Sequence, residues 1–437
     1  MARRRKHGRL AVRLNGRQVG WLTKEASGAI DFRYADAWLE WEQSLPVSLS
    51  LPLREDRYIG APVLAVFDNL LPDNQGIRRR VAEKVGAAGT DAFSLLDAIG
   101  RDCVGALQFL PEGAELGTTG AIDGAPVTEA EIADMLRNLA RNPLGIGEDD
   151  EFRISIAGAQ EKTALLRWKG HWLKPHGATP TTHIFKPQIG ELPNGIDLSN
   201  SVENEFFCLN FTAALGLPSA AVEMARFENV KVLIVERFDR VKVPDGRLLR
   251  APQEDCCQAL SIPWTQKYES EGGPGIRQIT RLLAGSDDPT TDQRRFLKSV
   301  ILFWLLGATD GHGKNFSVSL APGGRYGLTP LYDIVSAQPS IDAHHVRNNQ
   351  FKLAMAIGRN RHYAVDSIMP RHFIESAELA DVGGGFVTAI FHELIDQTPE
   401  ALGRTISKLP KDFPEQVATS IAGGVEKRLK TLADAAR

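Results

Sequence analysis

Residues 300–306, VILFWLL, form the longest apolar run of the chain, and GATDGHGKNFSV (307–318) follows at once. Such a run falls far short of the roughly 20 residues that cross a bilayer and reads as a helix. It acts as a rigid post that stops where Asp310 must face a cleft, with Gly311 and Gly313 letting the backbone turn tightly. The polar cluster Asp310, His312, Lys314 and Asn315 then admits three readings: a plain helix end, a metal site, or the catalytic loop of a phosphotransferase.

At 437 residues the chain has room for two or three domains with separate cores. With 51 Lys plus Arg against 54 Asp plus Glu, the net charge of -3 argues against a general nucleic-acid coating protein. Two basic clusters, Arg3–Arg4–Arg5–Lys6 and Arg78–Arg79–Arg80, read as a solvated terminus and a solvated helix face. The four cysteines, Cys103, Cys208, Cys256 and Cys257, contain no C-x-x-C pair, so neither a disulfide framework nor a zinc knuckle is expected. LAVRLNG near the N-terminus is too short and polar for a signal sequence. A reduced, cytoplasmic protein without a membrane segment is the expectation.

Residues 10–22 alternate apolar and polar around Asn15-Gly16, which predicts a hairpin. LPVSLSLPL (45–53) alternates as well, with Val47, Leu49 and Leu51 on one face, and residues 65–85 are helical with a break at Pro72. LPEGAELGTTGAIDGAP (110–126) reads as a linker, followed by a helix with Thr128 as N-cap and Glu131 closing a capping box. From Phe152 the chain turns strand-like in FRISIAG, KTALLRWKGHWL, THIFKP and KVLIVERF, and beyond about residue 254 helices dominate. The resulting division is 1–112, 113–150, 151–253 and 254–437, in an α+β chain whose strand-rich lobe precedes a helical one.

Phosphoryl transfer from ATP requires a lysine and backbone N–H groups at the phosphates, two oxygen ligands for a magnesium ion, and a carboxylate for the acceptor hydroxyl. Asp310 and Asn315 have the D-x-x-x-x-N spacing of a kinase catalytic loop. FSVSL, APGGR and YGLTPLYD then read as a hairpin that returns Asp333 to Asn315, so that two oxygen ligands converge. No second histidine has metal-ligand spacing to His312, which weighs against zinc, and Lys314 supplies positive charge near a phosphate or substrate. Lys186 in TTHIFKP is the strand lysine for the phosphates. On the helix from about Ser201, Val202, Phe206, Leu209 and Ala213 form an apolar stripe, with Glu205 beside it as a partner for Lys186 and Glu203 pointing away. SIAGAQEKTALL (155–166) runs from a strand through a turn at Gly158 into another strand, with Lys162 adding charge for phosphate. KVLIVERF ends in Glu236, Arg237 and Phe238, a hinge for adenine or a buried strand with a polar end.

Together these segments resemble the HipA family of Ser/Thr protein kinase toxins from bacterial toxin–antitoxin systems. The matching motifs are FRISIAGAQEKTALL, TTHIFK, VERFDR, PQEDCCQ, KYESEGGPGI, GATDGHGKNFSV and LTPLYDI, with FDNLLPD and IGRDCVGA near the N-terminus. The resemblance implies a protein-kinase-like two-lobed fold with an extra N-terminal α/β subdomain (1–112), an N-lobe (151–253) and a mainly helical C-lobe (254–437). It also implies an ATP- and Mg2+-dependent Ser/Thr kinase with Asp310 as catalytic carboxylate and Asn315 and Asp333 as magnesium ligands. The implied nucleotide contacts are Ala157, Gly158, Ala159, Gln160, Glu161, Lys162, Lys186, Glu236, Arg237, Phe238, His312, Gly313, Lys314 and Tyr332. Ser155 matches the serine that the family autophosphorylates, where a phosphate of nearly two negative charges would repel ATP or eject the loop. The implied partners are a HipB-like helix-turn-helix antitoxin, operator DNA through that complex, and glutamyl-tRNA synthetase as substrate. A small-molecule phosphotransferase and a catalytically silent DNA-binding partner are the competing readings; Lys186, Asp310, Asn315 and Asp333 together weigh against the silent one.

Overall fold

The computed structural model describes residues 8–114, 118–147, 152–193 and 195–435, so the basic cluster Arg3–Lys6 and part of the 110–126 stretch lie outside the described residues. The chain divides into two compact units. The first comprises residues 1–187, 225–265 and 319–325, and the second residues 188–224, 266–318 and 326–437.

The first unit opens with a five-stranded sheet in the order Tyr58–Ile59, Ile30–Tyr34, Arg17–Lys24, Gly8–Leu14 and Leu107–Pro111. Its first hairpin turns at Asn15 and Gly16, both at positive φ (46° and 83°), the geometry that this dipeptide favours. Phe32, Phe67 and Phe109 are buried against one another beneath the sheet, with ring centroids 5.3 and 5.5 Å apart.

Residues 45–53 form no strand despite their alternation. Side chains satisfy their backbone instead: the Tyr34 hydroxyl donates to Leu51 O and accepts from Val47 N, and Glu254 Oε1 accepts from Leu49 N at 2.7 Å. The helical stretch is split as expected, into Ala61–Phe67 and Gln75–Val85, with Asn74 capping the second helix. The solvated-face reading of its arginines holds for Arg79 alone. Arg78 is buried, donating to Pro72 O and Asp68 Oδ1 at 2.6 Å and lying over the Trp264 ring, and Arg80 pairs with Glu161.

A second sheet of the first unit orders its strands Val222–Phe227, Val230–Glu236, His183–Pro187, Thr163–Trp168, His171–Pro175 and Gly124–Pro126. The last strand lies within the stretch read as a linker and pairs with His171–Pro175. The helix Glu129–Arg137, closed by the Thr128–Glu131 capping box, covers the sheet through Ile132 and Leu136 on Leu165, Phe185, Val232 and Ile234. FRISIAG, expected as a strand, has no ladder partner. It runs irregularly, fastened through Ser155 N to Asp102 O at 2.9 Å and through a bridge of Gly158 to Pro72.

The second unit is mainly helical, built on Ser201–Ala214, Pro289–Leu306, Pro370–Leu379, Gly384–Ser407 and Glu415–Ala435. Pro289–Leu306 starts at the Asp288 cap with Pro289 in its first turn, and Phe296 to Leu306 are all buried. The stripe expected on Ser201–Ala214 is corrected: Ala213 is exposed, Phe206 is half-buried, and Glu203 and Glu205 are both buried. Glu203 does not point to water but accepts a 2.6 Å hydrogen bond from Gln188 Nε2, which offsets the cost of its burial. Among the described residues no helix is long and apolar enough to cross a membrane.

Candidate active site

The second unit gathers residues 307–318 and 326–333. The helix Pro289–Leu306 is terminated by Gly307 in the left-handed conformation (φ 64°), with its backbone N–H bonded to Phe303 O and Trp304 O. A Cβ at Gly307 would come within 2.6 Å of the Phe351 ring. The turn therefore belongs to Gly307 and not, as expected from sequence, to Gly311 and Gly313. Neither of those has positive φ; Gly311 is needed because a Cβ there would meet the Phe303 ring at 2.3 Å, and Gly313 begins a 3-10 turn, Gly313–Asn315.

Beyond that helix Asp310 is exposed, whereas His312, Lys314 and Asn315 are buried. Tyr268 donates from its hydroxyl to Asp310 Oδ1 at 2.5 Å, and its ring meets that of His312 edge to face. His312 Nε2 stands 3.9 Å from Asp310 Oδ2, too far for a hydrogen bond. The strands Ser317–Ala321 and Arg325–Leu328 then reverse the chain through Gly323 and Gly324, both at positive φ.

The hairpin brings Asp333 back to Asn315, whose Nδ2 donates to Asp333 O at 3.2 Å. Asn315 Oδ1 is buried and has no hydrogen-bond partner among the described residues, a state that an amide oxygen tolerates when it faces a cation. Asp333 is held at φ 58°, a conformation that costs a non-glycine residue about 1–3 kcal/mol and that clusters at functional sites. Tyr332 locks the turn by donating to Lys314 O at 2.7 Å, and its hydroxyl lies 2.5 Å from Ser317 Oγ. Among the described residues no group of three or more His, Cys, Asp or Glu could hold a metal ion. An amide oxygen and a carboxylate are hard oxygen donors, of the kind that magnesium takes and unlike the nitrogen and sulfur donors usual for zinc.

The first unit holds the other candidates. Lys186 is buried on a central strand, opposite Leu233, with strands on both sides of it. In the 157–162 loop, Lys162 Nζ donates to Ala157 O at 2.8 Å and Gly158 adopts φ 112°; a Cβ there would stand 2.4 Å from Lys162 Nζ. Gln160 Nε2 donates to Pro187 O at 3.1 Å, and Gly158 O accepts from Asp73 N at 3.0 Å. Burial pushes the Glu161 carboxyl above its usual range, opposed by its partner Arg80. Ala159 lies in the same loop, between the two fastened ends. Ser155 is fully buried, its hydroxyl donating to Leu70 O at 2.8 Å.

At the end of the strand Val230–Glu236, Glu236 is exposed and Phe238 half-buried, while the Arg237 side chain is committed elsewhere. It donates to Asp239, Thr181 and Cys103 O inside a buried cluster that also contains Asp102, Arg240 and Arg250. Any nucleotide contact from Arg237 is thereby left to its backbone. The expected Lys186–Glu205 pair joins a residue of the first unit to one of the second. Tyr268 was missed by the sequence reading, although it sits in KYESEGGPGI; a 42-residue separation from Asp310 leaves no spacing signal.

Residues 154–406 match the family model for the HipA-like C-terminal domain and residues 10–110 that for the HipA N-terminal domain. Among curated proteins, the "Putative kinase Y4mE" of Sinorhizobium fredii is 37% identical over 91% of both chains. The "Serine/threonine-protein kinase toxin HipA" of Shewanella oneidensis is 31% identical over 73% of this chain and 72% of its own. A solved complex of Shewanella oneidensis HipA, HipB and operator DNA superposes with a TM-score of 0.80 at 26% identity, covering 97% of each chain. The fold is the mixed α+β, kinase-like one of that structure. The chain belongs to the HipA family of Ser/Thr kinase toxins.

Proposed function

We propose that the protein is an ATP- and Mg2+-dependent serine/threonine protein kinase whose catalytic carboxylate is Asp310. The observation that carries this reading is the hydrogen bond that joins Asn315 to Asp333 in the segment that also exposes Asp310, with the buried Asn315 Oδ1 lacking a partner among the described residues. Asn315 and Asp333 would hold the magnesium ion, which when bound neutralises charge on the phosphates. In the reaction the acceptor oxygen forms a bond to the γ-phosphorus while the bond to the leaving ADP oxygen breaks. Asp310 orients the acceptor hydroxyl and takes its proton. Lys186 and the backbone of residues 157–162 serve the phosphates, with Lys162 and Gly158 setting the loop. Glu236, Arg237 and Phe238 serve the adenine through the strand end, and His312, Gly313, Lys314 and Tyr332 complete the nucleotide contacts. The kinase lobes are assigned to 151–253 and 254–437, preceded by an N-terminal subdomain (1–112) and a connecting segment (113–150).

The same reading makes the chain the toxin of a toxin–antitoxin pair, with a HipB-like antitoxin and, through it, operator DNA as partners. The assembly of the Shewanella oneidensis relative with HipB and operator DNA supports this. Glutamyl-tRNA synthetase is the proposed substrate and Ser155 the proposed autophosphorylation site. Ser155 is sealed against Leu70 O, so its phosphorylation requires the 155–162 segment to leave its place, and the added charge then prevents its return. The test is incubation of the dephosphorylated protein with ATP, magnesium and purified glutamyl-tRNA synthetase. Transfer of phosphate to the synthetase with loss of its charging activity is expected. Phosphate on other lysate proteins but not on the synthetase would overturn the substrate while leaving the kinase.

A further inference from the structure

Residues 266–275, QKYESEGGPG, have no role in the reaction as described so far, yet they are built with unusual care. Glu269 anchors the segment: its carboxylate accepts from Ala356 N at 2.7 Å and pairs with Arg361 at 2.9 Å. The chain then folds back on itself, with Gly273 N donating to Tyr268 O at 2.9 Å and Gly272 at φ 98°. A Cβ at Gly273 would lie 2.2 Å from Gln266 O and 2.8 Å from Tyr268 O, both backbone atoms, so the turn closes only with glycine at that position.

What this strap presents is Tyr268. Two adjacent residues hold the catalytic loop from one side: Lys267 O accepts from Gly313 N at 3.2 Å, and the Tyr268 hydroxyl donates to Asp310 Oδ1 at 2.5 Å. The Tyr268 ring also stands edge to face on His312, with centroids 5.0 Å apart, so that the phenol cannot swing away without losing that contact.

We infer that Tyr268 is a positioning residue for phosphoryl transfer, a role that rests on the reading of Asp310 as the catalytic carboxylate. The phenol bonded to Oδ1 restricts rotation of the Asp310 carboxylate about Cβ–Cγ and helps to set its orientation towards an acceptor hydroxyl.

The experiment compares the full-length protein with Tyr268→Phe and Asp310→Asn, each dephosphorylated beforehand. It follows phosphate transfer from ATP and magnesium to the chain itself and to lysate proteins. For Tyr268→Phe, kcat falls by about 10- to 100-fold, as expected for loss of orientation at a reacting group. The KM for ATP, calorimetric ATP affinity and melting temperature stay unchanged. An unchanged kcat, a rise in activity, or a loss of rate that merely follows loss of ATP binding and stability would each overturn the inference. If Asp310→Asn is inactive while Tyr268→Phe is fully active, the kinase reading stands and this inference alone falls. If Asp310→Asn keeps full activity, or the unsubstituted protein transfers nothing, the reading of the site falls and the inference with it.

Discussion

Asp102 in the first unit and Asp310 in the second are both carboxylates among hydrogen-bond donors, but they are arranged to opposite ends. Asp102 is buried, ringed by Arg240 and Arg250 at 2.9 Å and Arg237 at 3.5 Å, with Thr181 donating from both its backbone N–H and its hydroxyl. Burial alone would raise its pKa, but the three arginines outweigh it and hold the carboxyl well below the usual carboxylate range. Asp310 is open, and beside it Asn315 keeps a buried oxygen. The Asp102 oxygens are taken up by donors of their own cluster, whereas the Asn315 oxygen has no partner among the described residues, as at a site that keeps an acceptor in reserve for what it binds.

The largest effect should come from breaking the closed cluster. Asp102→Ala leaves three buried guanidiniums short of a counter-charge and should cost about 3–5 kcal/mol in denaturant unfolding. A loss below about 1 kcal/mol would show that the cluster carries little. The acid dependence has a definite sign. The folded pKa of Asp102 lies below its unfolded value of 3.8, so its stabilisation is present above that pH and fades on acidification below it.

Breaking the open site should leave stability alone. Asn315→Ala should raise the magnesium concentration for half-maximal phosphate transfer by at least about 10-fold while the melting temperature stays near that of the unsubstituted protein. A shift in stability without a shift in magnesium demand would return Asn315 to a structural role.

The smallest effect concerns a buried acid in the first unit with the opposite environment. Burial pushes the Glu254 pKa up to about 8, with Asp255 as a like-charged neighbour, against the Leu49 N–H that donates to Oε1 at 2.7 Å. A raised folded pKa means that its contribution is present below 4.5, the unfolded value, and is lost as pH rises towards 8. Glu254→Gln should therefore flatten that decline, gaining about 1–3 kcal/mol more at pH 8 than at pH 5 in chemical denaturation. An equal effect at both pH values would contradict the assignment.

What the sequence made readable was what lies close along the chain. The Asn15-Gly16 turn, the Thr128–Glu131 capping box and the return of Asp333 to Asn315 through one hairpin all follow from local chemistry or short spacing. Alternation misled at 45–53 and at FRISIAG because it reports burial of alternate side chains without showing whether a ladder partner exists; Tyr34, Glu254 and Asp102 take those backbone bonds instead. Helical periodicity misled at Glu203, since a helix with Gln188 packed beside it can bury a carboxylate that an amphipathic pattern would send to water. Arg78 was misjudged because its partners, Asp68 and Trp264, lie at separations that no local pattern encodes.

The account turns on phosphate leaving ATP with Asp310 as the acceptor of the hydroxyl proton. The most direct measurement is intact-mass analysis of dephosphorylated protein after incubation with ATP and magnesium, run beside Asp310→Asn and Ser155→Ala. The unsubstituted protein should gain one phosphate that Ser155→Ala does not take up. Asp310→Asn, folded and binding ATP, should gain it slower by about 10²- to 10⁴-fold. Uptake by Asp310→Asn at the rate of the unsubstituted protein would contradict the account.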